Sequence, residues 1–117
     1  MKHYAHINGT KIEYIDRGHG PVVVLIHGTQ SSSFEPYHVD RLVLSGFRVI
    51  VPSRPGYGET PYSFSATPQA FAENLRQLMH VMNIESYHVY GISAGGPTSI
   101  ELASRNDRAL SLTLAAA

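Results

Sequence analysis

No cysteine occurs among the 117 residues. Its absence excludes a disulfide-stapled scaffold, a zinc ribbon and thiol catalysis. An excess of either charge is also missing: nine Lys and Arg balance nine Asp and Glu, for zero net charge with His neutral. Such a chain has no long-range basic field, so neither nucleic acid nor a polybasic membrane contact is expected. Long apolar runs are lacking too. The longest, Val22 to Ile26, is far too short to span a bilayer. The first ten residues are polar and interrupted by His3, His6 and Gly9, unlike a signal peptide, and a cytoplasmic protein is expected. There is no internal repeat, low-complexity tract or charge block. What is present is globular: 43% hydrophobic and 15% charged residues, in a length that suits one domain and is too short for two.

Local patterns give an order of elements. Tyr4 to Ile7 and Lys11 to Ile15 flank Asn8-Gly9, a dipeptide that tolerates the positive φ of a tight hairpin turn. Ile12 and Tyr14 alternate with Lys11 and Glu13, which predicts one buried face and one wet face. Asp16 to Pro21 is a Gly-rich turn. Val22 to Ile26 is continuous and apolar, the pattern of a central parallel strand buried on both faces. A helix is expected from Ser33 to Ser45, with Pro36 in its first turn and Gly46 as its stop. Arg48 to Val51 is a short strand, and the Pro- and Gly-dense stretch Pro52 to Pro61 reads as a loop. Thr67-Pro68 opens a helix whose Phe71, Leu75, Leu78 and Met82 share one face, ending at Asn83. Tyr87 to Tyr90 is a strand, Ser93 to Arg105 a helix, and Leu110 to Leu114 a last strand. From residue 22 the order is β-α-β-α-β-α-β, which implies an α/β fold with a mostly parallel sheet and helices on both faces.

Gly91-Ile92-Ser93-Ala94-Gly95 lies between a predicted strand and a predicted helix. A serine on so sharp a turn needs strained backbone angles, and its neighbours two positions away pass too close for a Cβ. In return the hydroxyl projects beyond the sheet at a helix N-terminus, where negative charge is favoured. The Ala94 N–H points at the same space. Gly96 adds room for the helix to pack on the strand. Acyl transfer needs two donors for the developing oxyanion. The loop His27-Gly28-Thr29, leaving a neighbouring strand, supplies the second, with Thr29 N–H preferred and Gln30 the fallback.

These residues resemble the α/β-hydrolase superfamily, in which a His-Gly loop pairs with a Gly-x-Ser-x-Gly nucleophile elbow. Ser53-Arg54-Pro55-Gly56-Tyr57-Gly58-Glu59-Thr60 strengthens the resemblance. It stands where many members carry Asp-x-Arg-Gly-x-Gly-x-Ser, with Ser53 and Pro55 here in place of Asp and Gly. The tail from Arg105 to Ala117 resembles the segment that leads from helix to sixth strand. The resemblance implies an α/β-hydrolase-like fold, Ser93 as nucleophile, Ala94 and Thr29 as oxyanion donors, His27 and Gly28 supporting the oxyanion loop, and Gly91 and Gly95 forming the elbow. No cofactor is expected, and the scattered histidines predict no metal site. In the family the acid and then the His follow the serine. Here only Glu101 and Asp107 follow Ser93, and no His does. Neither acid sits where the family's does. Residues 1–117 therefore read as the N-terminal half of such a domain, about six of eight strands, truncated before acid, general base and lid.

Single residues have blander readings as well. His27, at the end of a strand beside the oxyanion loop, is expected to be structural rather than a base. His88, in a strand, is expected to be packed or wet at the strand's end, and His80 is expected on the exposed side of a helix. His3 and His6, three apart in a strand, face opposite ways and form no metal pair. Arg54 is expected to anchor its loop more than to bind an anion. Ser31 to Ser33 are expected to cap a helix, with substrate contact by one of them the alternative. The expected function of the complete protein is serine-dependent hydrolysis of a small-molecule ester or amide. A cofactor-free haloperoxidase or C–C bond hydrolase of the same fold is the alternative. A truncated, non-catalytic binding or assembling module is the alternative of another class. Dehalogenase and epoxide hydrolase chemistry is disfavoured, because such members of the fold carry Asp at the Ser93 position. The Leu110 to Leu114 strand is expected to be a sheet edge that pairs with another segment or another copy. The uncovered apolar surface predicts marginal stability.

Overall fold

Asn8 and Gly9 take φ of 50° and 77°, the positive values that a two-residue hairpin turn requires. They join β1 (Lys2–Ile7) to β2 (Thr10–Arg17) in antiparallel register, with Ile7 opposite Thr10. The computed structural model describes residues 2–28, 35–62, 66–104 and 106–115. The remaining elements are β3 (Val22–Ile26), α1 (Pro36–Leu44), β4 (Arg48–Pro52), α2 (Pro68–Val81), β5 (Tyr87–Ile92), α3 (Gly96–Ala103) and β6 (Ala109–Ala115). One six-stranded sheet results, in the order β1-β2-β4-β3-β5-β6. β2 meets β4 antiparallel, and every pairing beyond β4 is parallel.

β3 lies between β4 and β5, as its unbroken apolar run predicts. Val24 and Ile26 pack on one face with Phe71, Leu75 and Leu78 of α2 and Leu102 of α3. Leu25 turns to the other face with Val39 of α1, Val49 and Val51. The two-residue period of a strand thus feeds two cores. α2 begins where Thr67 Oγ1 accepts the Ala70 N–H at 3.1 Å, and Asn83, with φ 59°, ends the turn that follows it.

The structure corrects three local expectations. α1 begins at Pro36 rather than Ser33, and Ser33 lies outside the described residues. The helix expected from Ser93 begins at Gly96 and ends at Ala103. Ser93 has φ 48°, far from α-helical values, and a short 3-10 turn, Ser93–Gly95, precedes the α-helix. Glu13, assigned to the wet face, is fully buried. The loop after β4 folds over it. Ser53 Oγ donates to its Oε1 at 2.8 Å, and the Glu59 N–H donates to Oε2 at 3.3 Å. Its own N–H reaches Thr60 Oγ1 at 3.0 Å. A Cβ on Gly58 would lie 1.9 Å from Glu13 Oε1, so the carboxylate fills the space that this glycine leaves.

Glu13→Ala is expected to lower the unfolding free energy by about 2–4 kcal/mol, because it leaves buried donors unpaired and opens a cavity. Glu13→Gln keeps one acceptor and should lose less. Urea titration of the three proteins checks this, and equal stability of wild type and Glu13→Ala would remove the anchoring role.

β6 closes one side of the sheet as an edge strand. Leu110, Leu112 and Leu114 on it, and Ile100 on α3, are exposed.

Candidate active site

β3, β4 and β5 are parallel, so their C-terminal ends emerge together, and loops at such ends are where α/β sheets place ligands. The loops there carry His27-Gly28, Ser53 to Thr60, and Ser93. Ser93 follows the last residue of β5 directly and is half-buried. Its φ of 48° is a conformation that side chains avoid unless the surroundings impose it.

The flanking glycines permit the close packing around it. A Cβ on Gly91 would stand 2.3 Å from Ser99 Oγ and 2.7 Å from Ser99 Cβ, inside α3. A Cβ on Gly95 would stand 2.3 Å from the Ile26 carbonyl oxygen and 2.7 Å from that of His27. Gly91 therefore lets α3 lie close on β5, and Gly95 lets its first turn lie against the end of β3. Ser99 Oγ, fully buried, donates to the Gly95 carbonyl at 2.8 Å. Ala94 follows Ser93 in the 3-10 turn, where the leading N–H groups have no acceptor within the helix.

Gly28 brings the second loop to the same place. A Cβ on it would lie 3.3 Å from Ser93 Cβ and 3.3 Å from the Ile92 carbonyl oxygen. Thr29 and Gln30, the expected donors, and Ser31 to Ser33, the expected caps, lie outside the described residues.

His27 is fully buried. Its Nε2 accepts the Arg54 N–H at 2.9 Å, which leaves the proton on Nδ1, and that nitrogen donates to the Gly28 carbonyl at 2.7 Å. Both ring nitrogens are thus engaged with backbone, and the ring meets Tyr57 edge-on at 4.8 Å between centroids. Burial pushes its pKa below the ordinary histidine value, against the hydrogen bond to Gly28, which raises it. The neutral ring ties the loop after β3 to the loop after β4. Arg54 contributes chiefly its backbone; its guanidinium lies 5.0 Å over the Tyr57 ring.

This shift has a sign. The unfolded chain protonates His27 below its ordinary pKa near 6.5, while the folded chain resists protonation. Stability from this group is therefore present above that value and lost as the pH falls below it. Urea midpoints are expected to fall from pH 7 to pH 5 in wild type, and to fall less steeply in His27→Phe. An equal slope in both would assign the acid limb to other groups.

One residue near Ser93 was missed in the sequence. Glu35, just before α1, has φ 48° and ψ 58°, and its side chain makes no cap bond to its own helix. Its Oε2 instead accepts the Gly28 N–H at 2.9 Å. The only signal was an acid directly ahead of a helix-opening proline.

The other expected residues lie apart. His88 Nδ1 is 2.7 Å from Ser111 Oγ, and His80 is exposed on α2. Glu101 lies in α3 and Asp107 in the turn before β6. Among the described residues no cluster of three His, Asp or Glu could hold a metal, and no helix is long and apolar enough to cross a membrane.

Comparison with known proteins agrees with this fold. The chain is 36% identical over 111 residues to uncharacterized hydrolase YcgS of Bacillus subtilis (strain 168), covering 94% of this chain and 39% of that protein. It is 33% identical over 103 residues to a 2-hydroxy-6-oxononadienedioate/2-hydroxy-6-oxononatrienedioate hydrolase of Pseudomonas sp, covering 83% and 36%. Among solved structures, an alpha/beta hydrolase fold protein from Nakamurella multipartita superimposes with a TM-score of 0.88 at 30% identity, over 98% of this chain and 41% of that one. The chain thus spans about two fifths of the length of these relatives. Residues 21–117 match the model of the alpha/beta hydrolase fold family, and with the sheet that carries the turn at Ser93, the chain belongs to that family.

Proposed function

We propose that the complete protein is a serine hydrolase that cleaves a small-molecule ester or amide through an acyl-enzyme on Ser93. The observation that carries this reading is the Ser93 backbone at φ 48°, held between two glycines that leave no room for a Cβ. Ser93 Oγ attacks the acyl carbon while its proton passes to a histidine supplied from outside these 117 residues. The Ala94 N–H and an N–H of the loop after Gly28, assigned to Thr29, hold the oxyanion. The protonated histidine gives its proton to the leaving alcohol or amine, and water then releases the acid. A serine in place of an aspartate disfavours the alkyl- or epoxide-opening chemistry that a carboxylate nucleophile serves.

The test is covalent. A fluorophosphonate probe applied to the protein expressed from its complete reading frame should add one phosphonyl group to Ser93, located by peptide mass spectrometry. Labelling elsewhere, or none, would overturn the assignment. The 117 residues alone are expected to turn over esters poorly or not at all, because a serine without a base keeps its ordinary reactivity.

A second reading has a specific support. The Pseudomonas relative is named for a dienedioate hydrolase, which favours hydrolysis of a carbon–carbon bond beside a carbonyl, with the same serine. Turnover of a vinylogous diketone acid and not of simple esters would select it.

The edge strand leads to a proposal about the isolated chain. Leu110, Leu112 and Leu114 beside unpaired backbone are the features that drive edge-to-edge pairing. The 117-residue chain is expected to grow in apparent mass with concentration by light scattering. A monodisperse monomer at every concentration would discard that edge as a contact.

A further inference from the structure

We propose that the site beside Ser93 selects substrates bearing a cationic group near the scissile carbonyl, with Glu35 as the carboxylate that reads it. The inference rests on Ser93 being the nucleophile and deepens that reading by naming a substrate class.

The carboxylate is held beside the serine. A Cβ on Gly28 would lie 3.6 Å from Glu35 Oε2 and 3.3 Å from Ser93 Cβ, so the acid and the nucleophile's own carbon border the same space above Gly28. The Gly28 N–H fixes Oε2 at 2.9 Å. The Glu35 backbone adopts a left-handed conformation that directs the side chain away from its helix. Among the described residues no Lys, Arg or His pairs with it, and the neighbouring segment 29–34 contains no basic residue. The charge is also felt locally: Glu35 is one of the groups that raise the proton affinity of His27.

An unpaired carboxylate here is a problem for acyl transfer. The oxyanion that forms at the acyl carbon is negative, and a second negative charge in the same partly desolvated space opposes it. A hydrolase that keeps such a group is slowed on neutral substrates. A cation on the substrate reverses the sign: it pairs with Glu35 and cancels the repulsion as the oxyanion develops. The carboxylate then discriminates between substrates of different charge rather than impeding all of them.

Glu35→Gln tests this, because the amide oxygen still accepts the Gly28 N–H while the charge is lost. The protein from the complete reading frame is assayed with three 4-nitrophenyl esters of similar length: butyrate, 4-(trimethylammonio)butyrate and hemisuccinate. Wild type should favour the cationic ester and disfavour the anionic one. In Glu35→Gln, kcat/KM for the cationic ester should fall about tenfold, while values for the neutral and anionic esters hold or rise, as expected for a close charge pair in a partly solvated site. Equal changes on all three esters, or none, would overturn the inference. Should Glu35→Gln fail to fold, wild type alone decides: raising NaCl from 20 to 500 mM should reduce the cationic preference by screening, and a salt-independent preference would overturn it. Fluorophosphonate labelling separates the two readings. Labelled Ser93 without charge preference defeats only the role of Glu35, whereas an unlabelled Ser93 defeats the nucleophile and this inference together.

Discussion

Replacing Ser93 by alanine is expected to lower kcat of the complete protein by about 10⁴- to 10⁶-fold, the range seen when a hydrolase loses its nucleophile. The loss should be chemical rather than structural. Ala and Ser have similar freedom at φ 48°, and the side chain is half-buried at the mouth of the loops rather than inside either core. The melting temperature should therefore stay within a few degrees of wild type. Some rate above that in water should persist, because the oxyanion donors and the substrate contacts remain. Steady-state assays and thermal melts on one preparation check both halves. A variant retaining a tenth of wild-type turnover would remove Ser93 from the chemistry, whatever its backbone strain.

Gly95→Ala is expected to destabilise the fold by about 3–5 kcal/mol, at the upper end of single-residue effects. The methyl group would meet the Ile26 and His27 carbonyl oxygens at 2.3 and 2.7 Å. Both are backbone atoms of the central part of the sheet and its exit, so neither can swing aside as a side chain could. Relief requires α3 to move off β3, which would also displace Ser93 from Gly28. Activity and stability should fall together. Gly46→Ala provides the control. Gly46 has φ 94° but nothing within 4 Å of its missing Cβ, so it should lose only about 1 kcal/mol, from backbone strain. Gly95 has an ordinary φ of −76°, so equal losses at the two positions in urea titrations would show that the close approach adds nothing.

Much of the fold was legible because its signals are local. Asn8-Gly9, the β-branched run of β3 and the Thr67-Pro68 helix start each act within a few residues, and each element appears where its pattern predicts. The turn at Ser93 was legible for the same reason: two glycines and a serine at fixed spacing describe a turn whatever surrounds it. Its neighbours were less so. The helix after Ser93 begins three residues late, since a positive φ and a helix exclude each other at one residue. Glu13 alternates with Ile12 and was placed in water by that alternation, yet the loop 53–60, some forty residues away, covers it. Periodicity tells which residues share a face, not what is laid over that face.

Glu35 shows the same limit at the site. No local pattern links it to Gly28, seven residues before it, whose N–H its side chain accepts. His27 was expected to be structural, and the structure gives its two nitrogens backbone partners on separate loops.

The sequence by itself determined the order of strands and helices, the tight hairpin and the serine turn, because these follow from backbone sterics and hydrophobic period within a few residues. Only the tertiary structure decided that Glu13 is buried, that His27 joins two loops, and that a carboxylate stands beside Ser93. Those facts depend on segments brought together through space, where hydrogen bonds and excluded volume act between residues that the chain keeps far apart.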